Sequence, residues 1–243
     1  MKMTLMQHFA ELRRRLLWIF LIFTIAFAVG WFITPFLQKL LTEPLTSVWP
    51  DGKMLYTGLT DGILIQFSLS TVFAIVLTIP AVLWHIWAYV SPGLHSNEKR
   101  VILPIVILSP LLFIIGALFA FYVMLPVTFK LFVDMNQASP VPAILMPAVT
   151  DYLKFTIDLL KMFGIAFQMP LILVLLNKLG ILPRETVVKA RRYAIVIIFV
   201  AAAILTPTTD MVTQLLLAIP MCALFEISIL FMKKTPKSEK ITA

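Results

Sequence analysis

Charged residues are scarce in this sequence, and their scarcity narrows the class of protein. Only 13% of the 243 residues are charged and 60% are hydrophobic, whereas soluble domains carry about 25% charged residues. The mean hydropathy is +0.98. These values exclude a soluble enzyme with a large core and predict a chain that is mostly embedded in a bilayer.

Cysteine and the common catalytic motifs are also nearly absent. Cys222 is the single cysteine, so an intrachain disulfide is excluded. The chain contains no GxxxxGK[ST] phosphate loop, and His8, His85 and His95 lack the spacing of metal ligands. No nucleophile–base pair stands out. We therefore expect neither enzyme activity nor a cofactor.

Six apolar segments reach the length of about 20 residues that a spanning helix needs. They comprise residues 16–36, 63–83, 101–127, 153–176, 193–209 and 211–232. The fifth would be about 26 Å long as a helix, so the fifth and sixth spans are expected to be a short hairpin that thins the bilayer. The sequence predicts an all-α, six-span domain over residues 1–232 and a basic, disordered tail over 233–243.

The basic residues predict the orientation. Most of the 20 lysines and arginines lie before the first span, between spans two and three, between spans four and five, and in the tail. Because cytoplasmic loops are enriched in these residues, both termini are predicted to be cytoplasmic. The same enrichment explains the net charge of +8 without nucleic acid as a partner. The two long external segments, 37–62 and 128–152, are predicted to be ordered caps or loops.

Polar residues descend one face of the fourth span, ending at Gln168. They are Asp151, Lys154, Asp158, Lys161 and Gln168, at helical spacing. One alternative is ion pairing near the interface, with Gln168 hydrogen-bonded to a neighbouring helix. The other is a hydrated, concave face that opens to the outside. Ion pairing suffices for the first turns, but the cavity is favoured for Gln168 because Pro170 frees the backbone carbonyl of Ala166 beside it.

The last two spans carry further polar candidates. Glu226 lies about 10 Å from the cytoplasmic end of the sixth span, where it either snorkels or pairs with a basic loop residue. A structural and a functional role are equally compatible with its position. In the external hairpin LTPTTDMVTQ, Asp210 is well explained by a structural role as a helix N-cap. A structural role is less easily assigned to Thr206 and Gln214, so these two remain functional candidates.

Two carboxylates interrupt the basic cytoplasmic surface. Glu11 has the spacing of an ion pair with Arg15, and Glu98 suits the first turn of the third span. These structural explanations are individually favoured. Together the two carboxylates nevertheless suggest a site for a cationic partner, because carboxylates accept charge-assisted, bidentate bonds from guanidinium groups.

Four segments together resemble the TatC family, the multi-spanning component of the twin-arginine protein translocase. They are HFAELRRRL, SPGLHSNEKR, FGIAFQMP and LLAIPMCALFEI. The resemblance covers essentially the whole chain, and it implies a six-span receptor with a concave face in a bacterial inner membrane or an equivalent organelle membrane. It implies binding of twin-arginine signal peptides on folded cargo, partnership with single-span TatA- and TatB-type proteins, homo-oligomers within a larger complex, and export driven by the proton-motive force.

The resemblance also assigns roles to individual positions. It implies that Glu11 and Glu98 contact the arginine pair of the signal. Other positions matching the family's signal-binding surface are Tyr89, Arg13, Arg15 and Arg100. The positions matching sites of assembly or partner docking are Pro44, Asp210, Thr206 and Gln214. Lys161, Asp158 and Glu226 are intramembrane polar candidates, with Gln168, from their positions in the spans alone. Two of these positions depart from the family: Gln168 stands where the family often has glutamate, and Lys161 stands where a small or apolar residue is expected.

A small proton- or solute-coupled transporter is the alternative function, with the polar stripe of the fourth span as its pathway. It predicts an inverted repeat and a titratable group near the midplane. No repeat is visible, and the only deep group on the stripe is the amide of Gln168, which does not titrate. An intramembrane enzyme is a more distant third alternative.

Overall fold

The computed structural model describes residues 5–50, 52–91, 96–138, 146–205 and 211–233. Within these ranges, side chains are described except at residues 5, 7, 8, 90, 96–101 and 205. The backbone groups into two compact units made of interleaved segments. The first unit comprises residues 1–95 and 117–161, and the second comprises 96–116 and 162–243. A single membrane domain over 1–232 stays a prediction.

Helices make up nearly all of the described backbone. They are α1 (Leu5–Val48), α2 (Asp61–Val90), α3 (Ser96–Phe119), a π-helical segment (Ala120–Met124), α4 (Leu125–Gln137), α5 (Val149–Ala166), α6 (Met169–Lys178), α7 (Arg184–Lys189), α8 (Arg191–Leu205) and α9 (Met211–Phe231). One isolated parallel bridge joins Leu55 to Ala148. The prediction of an all-α protein is confirmed for the described residues.

Five helical stretches are long and apolar enough to cross a membrane. They are Phe9–Val48, Asp61–Tyr89, Ile102–Gln137, Val149–Lys178 and Met211–Phe231. The predicted fifth span corresponds to α8, whose 15 described residues extend only about 22 Å. Its last predicted residues, 206–209, lie outside the described ranges. The sixth span in the count and the cytoplasmic termini therefore stay predictions.

In the first unit, α1 packs against α2 through a close approach and buried polar contacts. A Cβ atom on Gly30 would lie 3.2 Å from the Cα atom of Ser70, so the absence of a side chain brings the two backbones together. The Thr34 and Ser70 hydroxyl oxygens are 3.1 Å apart. Such hydrogen bonds help to hold helices together in hydrocarbon, where the hydrophobic effect does not drive helix association.

α1 continues beyond the predicted end of the first span at residue 36, through Pro35 and Pro44. A proline at position 35 cannot donate to the carbonyl of Trp31, four residues earlier. Gln66 supplies the missing donor, because its Nε2 atom lies 3.2 Å from the Trp31 oxygen. The helix thus tolerates Pro35 through a side chain that belongs to α2.

The segments predicted as ordered caps or loops, 37–62 and 128–152, are helical over part of their length. α4 runs to Gln137 and buries Leu125, Thr128, Phe129 and Val133 on one face. Continued helical amphipathicity explains why the helix outlasts the apolar run. The π-helical segment precedes Pro126, which lacks an N–H, so the regular hydrogen-bond ladder is interrupted there in any case.

In the second unit, α6 and α8 pack against α9. Two glycines, Gly116 and Gly164, leave room for phenylalanines where helices cross. A Cβ atom on Gly116 would lie 2.5 Å from the carbonyl oxygen of Phe163, and one on Gly164 would lie 2.5 Å from the ring of Phe113. α6 is followed by Gly180 at φ 74°, the left-handed conformation in which helices commonly end.

Candidate functional site

Glu11 and Arg15 form the predicted ion pair one turn apart on α1. The Nε atom of Arg15 lies 3.0 Å from Oε1 of Glu11, and its Nη2 atom lies 2.5 Å from the same oxygen. About a fifth of each side chain is exposed (22% and 23%). The carboxylate of Glu11 therefore binds a guanidinium group within its own helix.

The same guanidinium group reaches the C-terminal end of α2. Nη2 of Arg15 lies 3.3 Å from the carbonyl oxygen of Ala88, and Nη1 lies 3.5 Å from that of His85. Ala88 lies in the last turn of α2, where carbonyls carry partial negative charge and lack intrahelical donors, and His85 lies just before that turn. Arg15 thus joins the carboxylate of α1 to the negative end of α2.

A cavity of about 290 Å³ lies beside this ion pair, lined by Glu11, Arg14, Arg15, Trp18 and His85. The Nδ1 atom of His85 is buried and has no hydrogen-bond partner among the described residues. The cavity thus combines one carboxylate with two guanidinium groups and an imidazole. The sequence excluded His85 as a metal ligand and gave no sign that it lies beside Glu11.

The remaining predicted signal-binding residues are described to different extents. Arg13 is exposed on α1, and Tyr89 is partly buried near the end of α2. Glu98 belongs to the first turn of α3, as predicted, and Arg100 follows in the same helix. The side chains of Glu98 and Arg100 lie outside the described set.

Gln168 occupies a break between two helices. α5 ends at Ala166 and α6 begins at Met169, with Pro170 in its first turn. The peptide N–H of Gln168 donates to the carbonyl of Ile165 rather than to Gly164, in the tighter pattern of a turn. The kink predicted from Pro170 is confirmed.

The amide of Gln168 joins this break to α3. Its Oε1 atom accepts a 2.6 Å hydrogen bond from the Ser109 hydroxyl, and its Nε2 atom donates to the Ser109 carbonyl at 3.0 Å. A longer contact of 3.4 Å reaches the carbonyl of Gly164. These bonds match the alternative in which Gln168 links two helices, rather than the cavity favoured from the sequence. Ser109 could not be predicted as the partner, because a residue 59 positions away leaves no local signal in the sequence.

The upper part of the polar stripe is described within the first unit. Nζ of Lys161 lies 2.6 Å from Oδ1 of Asp158, three residues earlier. Asp151 and Lys154 are exposed on the same helix. The predicted ion pairing is therefore confirmed for Asp158 and Lys161.

Glu226 pairs with the first residue of α8. Its Oε2 atom lies 2.8 Å from Nη2 of Arg191. The side chains of Arg191 and Glu226 remain about half exposed, at 47% and 49%. Of the two alternatives for Glu226, the structure shows pairing with a basic residue rather than snorkelling alone. The sequence did not indicate which of several arginines and lysines the partner would be.

The predicted docking residues do not form one described cluster. Gln214 on α9 donates from Nε2 to the carbonyl of Phe199 on α8 at 3.0 Å, and Pro44 is buried within α1. Thr206 and Asp210 lie outside the described residues, so the predicted N-cap at Asp210 is untested. Among the residues that are described, no group of three or more His, Cys, Asp or Glu side chains could hold a metal ion.

Similarity to known proteins covers nearly the whole chain. Residues 7–220 match the family model described as "Sec-independent protein translocase protein (TatC)". The Sec-independent protein translocase protein TatC of Rickettsia prowazekii is 37% identical over 237 residues, which are 96% of this chain and 94% of the relative. The TatC of Aquifex aeolicus is 34% identical and covers 98% of both chains.

Solved structures agree with the sequence matches. A crystal structure of the twin-arginine translocase receptor TatC has a TM-score of 0.77 and 33% identity, and the match covers 92% of this chain and 97% of that one. A second such structure, in DDM, has a TM-score of 0.79 and 34% identity, with 93% and 99% covered. These relatives are named for protein translocation and not for an enzymatic reaction. The chain therefore belongs to the TatC family of Sec-independent protein translocase proteins, which the four motifs of its sequence resemble.

Proposed function

We propose that this protein is the receptor and core subunit of a twin-arginine translocase, and that it binds the arginine pair of signal peptides on folded cargo. The observation that carries the proposal is the pairing of Glu11 with a guanidinium group beside an open cavity. A carboxylate that binds the guanidinium of Arg15 has the chemistry to bind that of a signal peptide.

Glu11 and Glu98 each accept one guanidinium group in this proposal. Tyr89 supplies an aromatic surface, and an arginine guanidinium stacks well on such a ring. Arg13 and Arg100 bind polar groups of the signal in this proposal. This division follows the residue types, because only the two glutamates bring negative charge.

The proposed partners are TatA- and TatB-type single-span proteins, with the proton-motive force as the source of energy. The partner helices dock at Gln214, Thr206 and Asp210 at the external hairpin, and the buried Pro44 supports assembly through the packing of α1. Homologous membership in a translocase supports assembly with partners. We further propose several copies of this chain within a larger complex.

The proposed location is a bacterial inner membrane, or an equivalent organelle membrane, with both termini in the cytoplasm. The five spanning-length helices support a membrane protein, and the distribution of basic residues supports the orientation. Cysteines introduced before α1 and into the tail should react with a membrane-impermeant thiol reagent only after the cytoplasmic side is opened.

Export of a folded twin-arginine reporter, in cells that lack their own TatC, tests the proposed role of Glu11. The parent chain, supplied with its matched partners, should restore export. Glu11→Lys and Glu98→Lys should each reduce it at least tenfold, because a guanidinium group would then face a like charge. Glu43→Lys is the matched control, since Glu43 is an exposed glutamate on the same helix.

The outcome that would refute this proposal is equally specific. If both charge-reversed variants export the reporter as well as Glu43→Lys, neither carboxylate receives the signal. If the parent chain restores no export with matched partners, the assignment as a translocase receptor fails.

A further inference from the structure

Three oxygen atoms surround the guanidinium group of Arg15, and they belong to two helices of one unit. They are Oε1 of Glu11 and the backbone carbonyls of His85 and Ala88. All three are acceptors, and two sit at the negative end of α2. This set suits a cation with several N–H donors in a plane, which describes a guanidinium group better than an ammonium group.

The carbonyl of Ala88 is available as a hydrogen-bond acceptor because of the residue four positions later in the sequence. Its regular helical donor would be the N–H of residue 92, which is a proline. Proline has no N–H, and the N–H of Ser91 donates to Trp87 instead. Residue 92 therefore has no N–H to offer the Ala88 carbonyl, which accepts from the Arg15 guanidinium group.

Arg15 uses these acceptors imperfectly. Its Nε and Nη2 atoms both approach the same oxygen of Glu11, whereas an untethered guanidinium group can bind both carboxylate oxygens in parallel. The tether of one helical turn holds Arg15 in this geometry. Water still reaches the pair, because 22% and 23% of its two side chains are exposed. Ion pairs four residues apart on a helix favour the paired state by only about two- to fivefold, so an arginine from outside can displace Arg15.

We infer that Glu11, the His85 carbonyl and the Ala88 carbonyl form a single guanidinium seat, and that Arg15 occupies it until a signal-peptide arginine takes its place. Arg15 is therefore an internal competitor that lowers the affinity for every arginine-bearing signal. This inference rests on the proposed function. It adds two backbone ligands to the site and gives Arg15 a role opposite to that of a signal-binding residue.

The test measures binding of a fluorescent synthetic peptide, with two adjacent arginines before an apolar run, to the full chain in detergent. Arg15→Gln should bind the peptide two- to fivefold more tightly than the parent. Arg15→Lys should also bind more tightly, by a smaller factor, because it keeps the charge but loses the planar fork. An increase with unchanged net charge separates competition from the relief of general repulsion.

Arg14 supplies the matched controls, because it lines the same cavity. Arg14→Lys should leave the affinity unchanged. Arg14→Gln should raise it only at low salt, since screening weakens repulsion between exposed charges. A second peptide, with lysine in place of one arginine, should gain affinity for Arg15→Gln by the same factor as the first, because removing a competitor affects all ligands of a seat equally.

Failure of this inference can be told apart from failure of the proposed function. If Arg15→Lys binds no more tightly than the parent, or if Arg15→Gln binds more weakly, Arg15 is not a competitor, although Glu11 can still be the receptor group. If the parent chain does not bind the peptide, or binds it as well after Glu11→Gln, the proposed recognition by Glu11 is wrong and the inference falls with it.

Discussion

Replacing Gln168 by leucine should weaken the second unit and reduce export. Leucine is close to glutamine in size, so the change removes hydrogen bonds with little change in packing volume. The two bonds lost to Ser109 join α3 to the α5–α6 break. Interhelical hydrogen bonds in membranes contribute about 0.6 kcal/mol on average and at most about 1.7 kcal/mol, so the expected loss is about 1–3 kcal/mol.

Unfolding of the full chain by SDS in mixed micelles, alongside export of a folded reporter, measures this loss. A double-mutant cycle with Ser109→Ala should give a coupling energy of about 1 kcal/mol. Thr71→Val is the control, because the exposed Thr71 hydroxyl bonds only the Phe67 carbonyl of its own helix. That variant should change the unfolding free energy by less than about 0.5 kcal/mol.

Gln168→Glu should retain export, since a carboxyl oxygen can still accept the hydrogen bond from Ser109. A coupling energy near zero in the cycle with Ser109→Ala would refute the reasoning, because it would mean that the bond from the Ser109 hydroxyl contributes nothing to joining the helices. Unimpaired export by Gln168→Leu would show that a polar group at this depth is unnecessary.

Two further predictions concern contacts between helices. Gln66→Leu should destabilise the first unit by about 1 kcal/mol, because it leaves the Trp31 carbonyl unpaired. In a Pro35→Ala background the same change should cost much less, because alanine restores a backbone donor at position 35. SDS unfolding measures both costs, and equal costs in the two backgrounds would contradict this prediction. Glu226→Arg should lower the unfolding free energy by up to about 1 kcal/mol. The exchanged pair, Arg191→Glu with Glu226→Arg, should preserve export because the two charges can still pair. If the exchanged pair is as impaired as the single variant, the position of each charge matters and the prediction is wrong.

Local spacing predicted the contacts that lie within one helix. The Glu11–Arg15 and Asp158–Lys161 pairs follow from separations of four and three residues. Pro170 predicted the break before α6 for an equally local reason, since the missing N–H is a property of one residue. For such features, the sequence contains both partners within a single turn.

The partners in contacts between helices could not be identified from the sequence. The extension of α1 through Pro35 depends on Gln66, which lies on another helix, and the arrangement of Gln168 depends on Ser109. A lone serine in an apolar run carries no sign of its partner, because a hydroxyl can also bond to its own helix. The choice of Arg191 for Glu226 likewise required the packing of α8 against α9.

The bond between Ser109 and Gln168 has a consequence for biogenesis. α3 is synthesised before α6. Until α6 is inserted, the Ser109 hydroxyl of α3 can donate a hydrogen bond to a backbone carbonyl of its own helix. The glutamine amide has two donors and an acceptor, and it gains its full set of partners only when α3 is beside it. The earlier helix therefore provides the binding partner for the later one. If α3 is not yet beside the α5–α6 break when that segment inserts, the Gln168 amide is left unpaired in lipid.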